Sequence, residues 1–353
     1  MVIGAHIGGD EAEESLLLFA LKKAAVLQPQ HKFILFTNLV IKDLPHNFLQ
    51  VNIIPKPKNK LLLFYWYKYK LQKLFIKYNI TSFISNAGML AIDSTVHQYL
   101  FVEHQNFLIQ QKSFFKNHLN NAIATAKTVF VTDGLLANEF NKNFKAFDNK
   151  ILLFNFDLTK KNKQYSFEEI EALKEKYTEG FDYYLYDINT TSKFFVLTVL
   201  KAFSQLKKWQ KTSLKLVLLF ENEIDEKLLP DFKNYKYKNE VVIVKETIEN
   251  KLSLKAASFA YIFLGDYNYK QHVYDAMSYN VPVIVADTNE NRFLFHLSVV
   301  YASLTVEGLA LQLQNIYKDE LRRKKQLQNV NQFLANFDNQ INTQKLIDII
   351  SNY

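Results

Sequence analysis

The chain has 353 residues, 48% of them hydrophobic and 22% charged, a composition typical of globular proteins rather than disordered ones. It contains no cysteine, which excludes disulfides and thiolate metal sites, and its eight histidines lack the spacing of metal ligands. The formal charge of +8 is carried almost entirely by lysine, and no nucleic-acid-binding motif accompanies it, so we expect no nucleic-acid partner.

Short apolar strands alternate with longer helical patterns in the first half of the chain, as in a parallel sheet with crossover helices. Strands are predicted at 2–7, 32–38, 51–54, 81–85, 98–104 and 128–133. Helices are predicted at 10–27, 60–78 and 110–126. Six strands are enough for one doubly wound domain.

A polar stretch at 157–180 then interrupts the alternation and predicts a linker leading into a charged helix. Beyond it, strands are predicted at 182–188, 214–220, 240–244, 259–265 and 281–287. Helices are predicted at 192–209, 248–257, 270–279, 306–316, 318–337 and 341–353. The pattern predicts an α/β protein of two Rossmann-like domains, 1–156 and 181–337, with a cleft between them. A last segment, 338–353, forms a helix that can cross back to the first domain.

In each predicted domain, ligands should bind where strands of the parallel sheet give way to helices. The first such turn carries Gly8 and Gly9, whose bare backbone can approach a phosphate at a helix N-terminus. Several acids crowd the same turn, and Asp10 with Glu13 can instead form a capping box. Both interpretations remain open.

Two titratable residues, Glu103 and His104, end another predicted strand of the first domain and so lie at the edge of the cleft. Such a pair can hold hydroxyl groups or transfer a proton, since histidine titrates near neutral pH. A histidine at a strand end is equally often held by simple hydrogen bonds.

In the second domain, Lys193 opens a helix directly after a strand, where a lysine can meet a diphosphate. Asp275 lies about one turn inside the helix that follows the loop at 266–270. A carboxylate there can accept both hydroxyls of a ribose while loop amides bind phosphates. The alternative is that both residues are ordinary surface charges of a lysine-rich chain.

The helical segment at 56–77 is basic and aromatic, and it has two interpretations. It can lie on an anionic membrane surface, or it can pack on the core while its lysines extend to solvent. A nucleophile elbow, a Walker phosphate loop and a dinucleotide fingerprint are all absent from the sequence, which argues against hydrolases, nucleotidases and dehydrogenases.

Several segments resemble, in the right order, the family 4 retaining glycosyltransferases of GT-B fold. "DAMSYNVPVIVAD" (275–287) is similar to the family's "EAMACGxPVIxSD", and "LSLKAASFAYIFLG" (252–265) to its "LxxLYxxADVFVxPS". "LTVLKAFSQLKKW" (197–209) and the stretch at 101–140 match further blocks, so the resemblance runs from about residue 98 to residue 330.

The resemblance implies a role for each donor-site residue. Asp275 takes the position of the glutamate that holds the nucleotide ribose, and Tyr267 that of the glutamate near the donor sugar. Asn268 and Lys270 stand where the family offers two glycine amides to the donor phosphates. A larger residue at such a position fills space that a phosphate needs, so these departures weaken the donor site.

The resemblance also implies that His104 with Glu103 stands for the family's His-Asp pair beside the sugar, and Lys193 for its diphosphate clamp. It implies metal-independent transfer of a sugar from a nucleotide-sugar donor to a saccharide or lipid-linked acceptor in cell-surface polysaccharide synthesis, with no cofactor. We expect a cytoplasmic location, with contact to the inner face of the membrane left open. The alternative is an inactive GT-B-fold protein that binds sugar or serves as a scaffold for an active enzyme.

Overall fold

The computed structural model describes residues 1–8, 15–53, 60–103, 114–154, 164–188, 193–220, 232–245, 248–265, 270–337 and 343–351. The chain divides into two compact units. The first unit comprises Met1–Asp157 together with Asp338–Tyr353, and the second comprises Leu158–Phe337. Each unit contains one sheet in which every strand pairing is parallel.

The first unit is built on a seven-stranded parallel sheet with the order β3-β2-β1-β4-β5-β6-β7. Its strands are β1 (Val2–His6), β2 (Lys32–Thr37), β3 (Phe48–Asn52), β4 (Ser82–Ser85), β5 (His97–Val102), β6 (Thr128–Val131) and β7 (Ile151–Leu153). The strand order reverses between β1 and β4, and the carboxyl edge at that point is where parallel sheets of this type bind ligands.

Helices cover the sheet of the first unit. They are α1 (Leu16–Leu27), α2 (Lys60–Tyr65), a π-helical turn (Trp66–Lys70), α3 (Leu71–Lys77), α4 (Phe114–Thr125) and α5 (Gly134–Asn143). The last helix of the chain, α13 (Thr343–Ser351), also belongs to this unit. It is anchored where the Ser82 hydroxyl donates to the carbonyl of Ile350 at 2.9 Å.

The second unit repeats the arrangement with six parallel strands in the order β10-β9-β8-β11-β12-β13. The strands are β8 (Tyr183–Asp187), β9 (Lys215–Phe220), β10 (Val241–Lys245), β11 (Ala260–Phe263), β12 (Val283–Ala286) and β13 (Val300–Ala302). The helices are α6 (Phe167–Thr178), α7 (Lys193–Trp209), α8 (Ile248–Ala257), α9 (Gln271–Ser278), α10 (Asn289–Phe295), α11 (Val306–Lys318) and α12 (Glu320–Phe337). Its switch point lies between β8 and β11.

The central strands are buried on both faces, which explains their nearly continuous apolar sequences. All four residues of β11 and all five of β8 are buried, including Tyr183, Tyr184 and Tyr186. Tyr183 and Tyr184 keep their hydroxyls protonated, because desolvation raises the pKa of both phenols above the usual value. Tyr183 and Tyr184 donate to the backbone carbonyls of Leu254 and Leu313, each at 2.8 Å.

The predicted fold class of two Rossmann-like parallel-sheet units is confirmed, with local differences. The strand predicted at 51–54 is Phe48–Asn52, an edge strand whose residues are half-buried or exposed, so its apolar signal was weak. Within the described ranges, the sequence interpretation missed two strands, β7 and β13, and two α-helices, α5 and α10. Both missed strands have three residues, too few for a periodic pattern.

Candidate functional site

The turn after β1 brings Gly8 close to neighbouring backbone and uses its amide internally. The Gly8 N–H donates to the side-chain oxygen of Asn86 at 2.9 Å. A Cβ atom on Gly8 would lie 3.3 Å from the Cβ of Ala87, so the position favours glycine. This amide is therefore already engaged rather than open to a phosphate. Gly9 lies outside the described residues, as do the acids from Asp10 to Glu14.

The Glu103 carboxylate, just beyond β5, caps the N-terminus of α1. It accepts hydrogen bonds from the Ser15 hydroxyl at 2.6 Å and from the amides of Leu16 and Leu17 at 3.1 and 3.3 Å. The Asn86 side chain donates to the same carboxylate at 3.2 Å. The N-terminus of a helix attracts an anion, and here the protein's own carboxylate occupies that position.

This arrangement gives Glu103 an anchoring role that its position in the sequence did not reveal. The side chain is buried and joins α1 to the carboxyl ends of β4 and β5. Its predicted part in catalysis beside His104 stays a prediction, since His104 lies outside the part of the chain that the structure describes.

A buried histidine, His6, lies at the carboxyl end of β1 and was not singled out from the sequence. Its Nδ1 is hydrogen-bonded to the Tyr67 hydroxyl, which in turn lies 2.7 Å from the Ser85 hydroxyl. Burial lowers the pKa of His6 to about 3, so the imidazole is neutral near pH 7. Tyr67 belongs to the π-helical turn, a local irregularity often found at functional positions.

In the second unit, Asp275 lies on α9 and has partners for both carboxylate oxygens. Its Oδ1 accepts from the Gln271 side chain at 3.0 Å, and its Oδ2 accepts from the Lys255 ammonium at 3.2 Å. The Asp275 side chain keeps 17% of its surface exposed, whereas that of Lys255 keeps 2%. Asp275 is therefore the member of this ion pair that a ligand can reach.

Lys255 also contacts His272, which extends the cluster to the end of β8. The Lys255 ammonium donates to His272 Nδ1 at 3.0 Å, and that nitrogen lies 3.6 Å from Asp187 Oδ2. Because an ammonium can only donate, Nδ1 is the acceptor and the imidazole is neutral. Burial, Lys255 and Lys251 together hold the pKa of His272 well below its usual value.

The position of Asp187 fixes the cluster relative to the sheet. Asp187 is the last residue of β8, and β8 pairs with β11 in the centre of the sheet. The first turn of α9 therefore lies at the carboxyl edge beside the switch point of the second unit, where such sheets bind ligands. Of this cluster, the sequence interpretation singled out Asp275 alone, because a lysine and a histidine on different helices share no sequence pattern.

The remaining predicted donor-site residues are only partly described. Lys270 begins the turn that leads into α9, with its side chain buried and its backbone carbonyl accepting from the amides of Val273 and Tyr274. Lys193 is the first residue of α7, and its side chain lies outside the description. Tyr267 and Asn268 fall in a segment that the structure leaves undescribed.

Metal binding and membrane insertion can both be assessed from the described residues. Across the described ranges, no group of three or more histidine, aspartate or glutamate side chains has a geometry that could hold a metal ion. Within the same ranges, none of the helices combines the length and the apolar character needed to cross a membrane.

Comparison with known proteins gives structural matches without sequence matches. No family model matches the chain, and no curated protein matches it. A glycosyltransferase from Rickettsia africae ESF-5 has a TM-score of 0.73 at 14% identity, with 99% of this chain and 98% of that chain covered. WaaG, a glycosyltransferase involved in lipopolysaccharide biosynthesis, has a TM-score of 0.71 at 13% identity over 100% of both chains.

A third structure, HepE from Anabaena in complex with UDP and glucose, has a TM-score of 0.73 at 12% identity over 100% of both chains. At these identities the similarity establishes the fold alone, because one fold supports many functions. The chain has the GT-B fold, with two Rossmann-like parallel-sheet units, and the Asp275 cluster lies at the carboxyl edge of the second unit's sheet.

Proposed function

We propose that the protein is a glycosyltransferase that moves a sugar from a nucleotide-sugar donor to a saccharide or lipid-linked acceptor in cell-surface polysaccharide synthesis. The observation that supports this most is Asp275 in a chain of GT-B fold. Its partly exposed carboxylate lies on the helix after β11, beside the switch point of the second sheet. A carboxylate is a suitable acceptor for the two hydroxyls of a ribose.

In this proposal the second unit binds the donor. Asp275 holds the nucleotide ribose, and Lys193 and Lys270 face the diphosphate from the starts of α7 and α9. Tyr267 and Asn268 line the donor loop, and the chemistry follows the retaining, metal-independent course of family 4. HepE supports the donor class, since its structure holds UDP and glucose.

The first unit takes the acceptor side in this proposal. His104 and Glu103 face the transferred sugar, with Glu103 holding the start of α1 in place. The loop of Gly8 and Gly9 remains part of the proposed cleft, with the Gly8 amide bonded to Asn86. Because Glu103 occupies the N-terminus of α1, the acceptor should be a neutral saccharide at this point rather than a phosphate group.

Contact with a membrane is a further part of the proposal. The segment from Lys60 to Lys77 contains five lysines and no acid. It buries Trp66 and Tyr67 but exposes several apolar side chains, namely Leu61, Leu62, Tyr65, Tyr69 and Ile76. Exposed apolar groups among lysines suit an anionic lipid surface, so we propose that the cytoplasmic protein docks there through this face.

One observation favours the alternative of an inactive sugar-binding or scaffolding protein. Lys270 stands at a position where the family offers a glycine amide, and its side chain is buried. A buried side chain at this point would be expected if the donor loop has closed upon itself, as a protein that no longer binds a diphosphate would permit.

Release of nucleoside diphosphate from UDP-glucose, GDP-mannose and ADP-glucose separates the two functions. A transferase should release one diphosphate, slowly to water and faster with a lipid-linked saccharide extract. Asp275→Asn should abolish the release. Asp348→Asn, whose carboxylate likewise pairs with a glutamine four residues earlier, should leave it unchanged. Absence of release would refute the transferase, and absence of nucleotide binding as well would support the inactive alternative, whose donor loop no longer holds a diphosphate.

A further inference from the structure

The buried ammonium of Lys255 has a geometry that the proposed donor site does not yet account for. It donates to Asp275 Oδ2 at 3.2 Å and to His272 Nδ1 at 3.0 Å, and lies 5.5 Å from the centre of the Tyr261 ring. With 2% of its side chain exposed, Lys255 cannot itself reach a ligand. Any effect on a ligand must therefore pass through the groups that it contacts.

We infer that Lys255 is a positioning residue for Asp275, fixing the orientation and the negative charge of the carboxylate that receives the ribose. This inference rests on the proposed nucleotide-sugar function. Lys255 lies on α8 and Asp275 on α9, so their ion pair fixes one helix against the other at the ligand-binding edge. The Gln271 bond to Oδ1 comes from the same helix as Asp275 and adds no such cross-link.

The charge of Lys255 matters because the carboxylate is mostly buried. Desolvation disfavours an ionised carboxylate, and a neutral glutamine compensates for less of that cost than an ammonium does. Five other polar groups of the described residues lie around the Asp275 cluster. They are the neutral imidazole of His272, the phenols of Tyr261 and Tyr279, whose pKa values are raised, the carboxylate of Asp187 and the ammonium of Lys251.

Tyr261 lies beside the Lys255 ammonium and near the carboxylates of Asp187 and Asp275. Its hydroxyl is fully buried and finds no hydrogen-bond partner within the described ranges. Burial and the nearby carboxylates of Asp187 and Asp275 raise its pKa well above the usual value, so it remains a neutral phenol. Within the described ranges Lys255 is the cation that donates to Asp275, and without it the carboxylate would keep the neutral Gln271 as its side-chain donor.

A purely structural ion pair in the same unit provides a matched control. The side chain of Lys207 on α7 is 3% exposed, pairs with Glu240 and donates to the carbonyl of Thr212 at 2.7 Å. It is as buried as Lys255 and lies in a different contact network. Lys207→Met should therefore reproduce the loss of a buried ion pair without disturbing Asp275.

The test compares the native chain with Lys255→Met, Lys255→Arg and Lys207→Met. The carboxyl ¹³C chemical shift of Asp275 is measured at pH 7.5, with the Asp348 carboxyl as an internal reference. Lys255→Met should move the Asp275 signal, because the carboxylate loses the ammonium that donates to its Oδ2. The signal should stay in place in Lys207→Met, and Lys255→Arg should keep it close to its native position.

UDP, GDP and ADP are then titrated at pH 7.5. Whichever nucleotide binds should bind at least tenfold more weakly to Lys255→Met, whereas Lys207→Met should bind it with native affinity. An unmoved Asp275 carboxyl signal and unchanged affinity in a folded Lys255→Met protein would overturn the inference.

The proposed function can fail without deciding this inference. If no nucleotide binds to the native chain, the donor site is refuted, while the NMR comparison still reports whether Lys255 holds the Asp275 carboxylate. If Lys255→Met does not fold, Lys255→Arg carries the comparison. A native Asp275 carboxyl signal with native nucleotide affinity in the arginine variant supports the role, and a displaced signal with native affinity contradicts it.

Discussion

Replacing Glu103 tests whether its carboxylate, just beyond β5, holds the start of α1. The Glu103 side chain accepts from four donors, which are the Ser15 hydroxyl, the Leu16 and Leu17 amides and the Asn86 amide. Glu103→Gln keeps the shape but loses the charge and turns its own amide hydrogens towards some of those donors. Glu103→Ala removes every acceptor from a buried position.

The expected loss of folding stability follows from the hydrogen bonds that each substitution removes. A hydrogen bond to a charged group contributes about 1.5–3 kcal/mol and a neutral one about 0.5–1.5, and the attraction of the helix end for the charge adds about 1. Allowing for water that re-solvates part of the helix end, we expect a loss of about 2 kcal/mol for Glu103→Gln and about 4 for Glu103→Ala.

Urea unfolding followed by tryptophan fluorescence gives the measurement. The chain has two tryptophans, the buried Trp66 in the first unit and the more exposed Trp209 in the second. In a Trp209→Phe background, Trp66 reports the first unit alone. Asp43→Asn, at an exposed position of the first unit, is the control and should change stability by less than about 0.5 kcal/mol.

A Glu103→Gln protein that unfolds at the native urea concentration would refute this account of the α1 cap. The same variant also addresses the predicted catalytic role. If sugar transfer persists at temperatures where the variant stays folded, Glu103 has an anchoring role and does not transfer a proton.

Two further predictions concern the first unit. Because burial lowers the folded-state pKa of His6 to about 3, the unfolded chain binds the proton first, and stability should fall as the pH drops from about 6.5 towards 3. By pH 5 the loss should be about 2 kcal/mol, and His6→Gln should remove most of that dependence in urea titrations at pH 7 and pH 5; an equal loss in the variant would contradict the assignment. Lys68→Glu/Lys73→Glu should weaken co-sedimentation with phosphatidylserine vesicles by at least about 30-fold, since each lysine near an anionic surface contributes about 1 kcal/mol and the introduced glutamates are repelled by it. Lys318→Glu/Lys325→Glu, with equal charge change in the second unit, should have little effect, and equal losses in both doubles would refute docking through the 60–77 face.

The sequence predicted best the helices that are long and the strands that are fully buried. Helix α7 was predicted at 192–209 and spans Lys193–Trp209, and β11 was centred correctly, because a long amphipathic helix and a buried apolar strand carry a clear pattern. The missed α5 begins at Gly134, directly after a strand, and its cap Asp133 was taken as the last residue of the strand predicted at 128–133.

The candidate site was less predictable, for a physical reason. Asp275 could be singled out because it lies one turn into a helix that follows a buried strand. Lys255 and Asp187 could not, since their significance arises from a fold that brings together residues 187, 255, 272 and 275. The same holds for Glu103 and Ser15, which are 88 positions apart in sequence and form a 2.6 Å hydrogen bond.

The most direct test of the central claim is calorimetric titration of the purified protein with UDP, GDP and ADP, for the native chain, Asp275→Ala and Asp348→Ala. The account predicts that one nucleotide binds at micromolar strength, that Asp275→Ala abolishes the binding, and that Asp348→Ala leaves it intact. Absence of binding to the native chain at millimolar nucleotide would contradict a nucleotide-sugar donor site in the second unit.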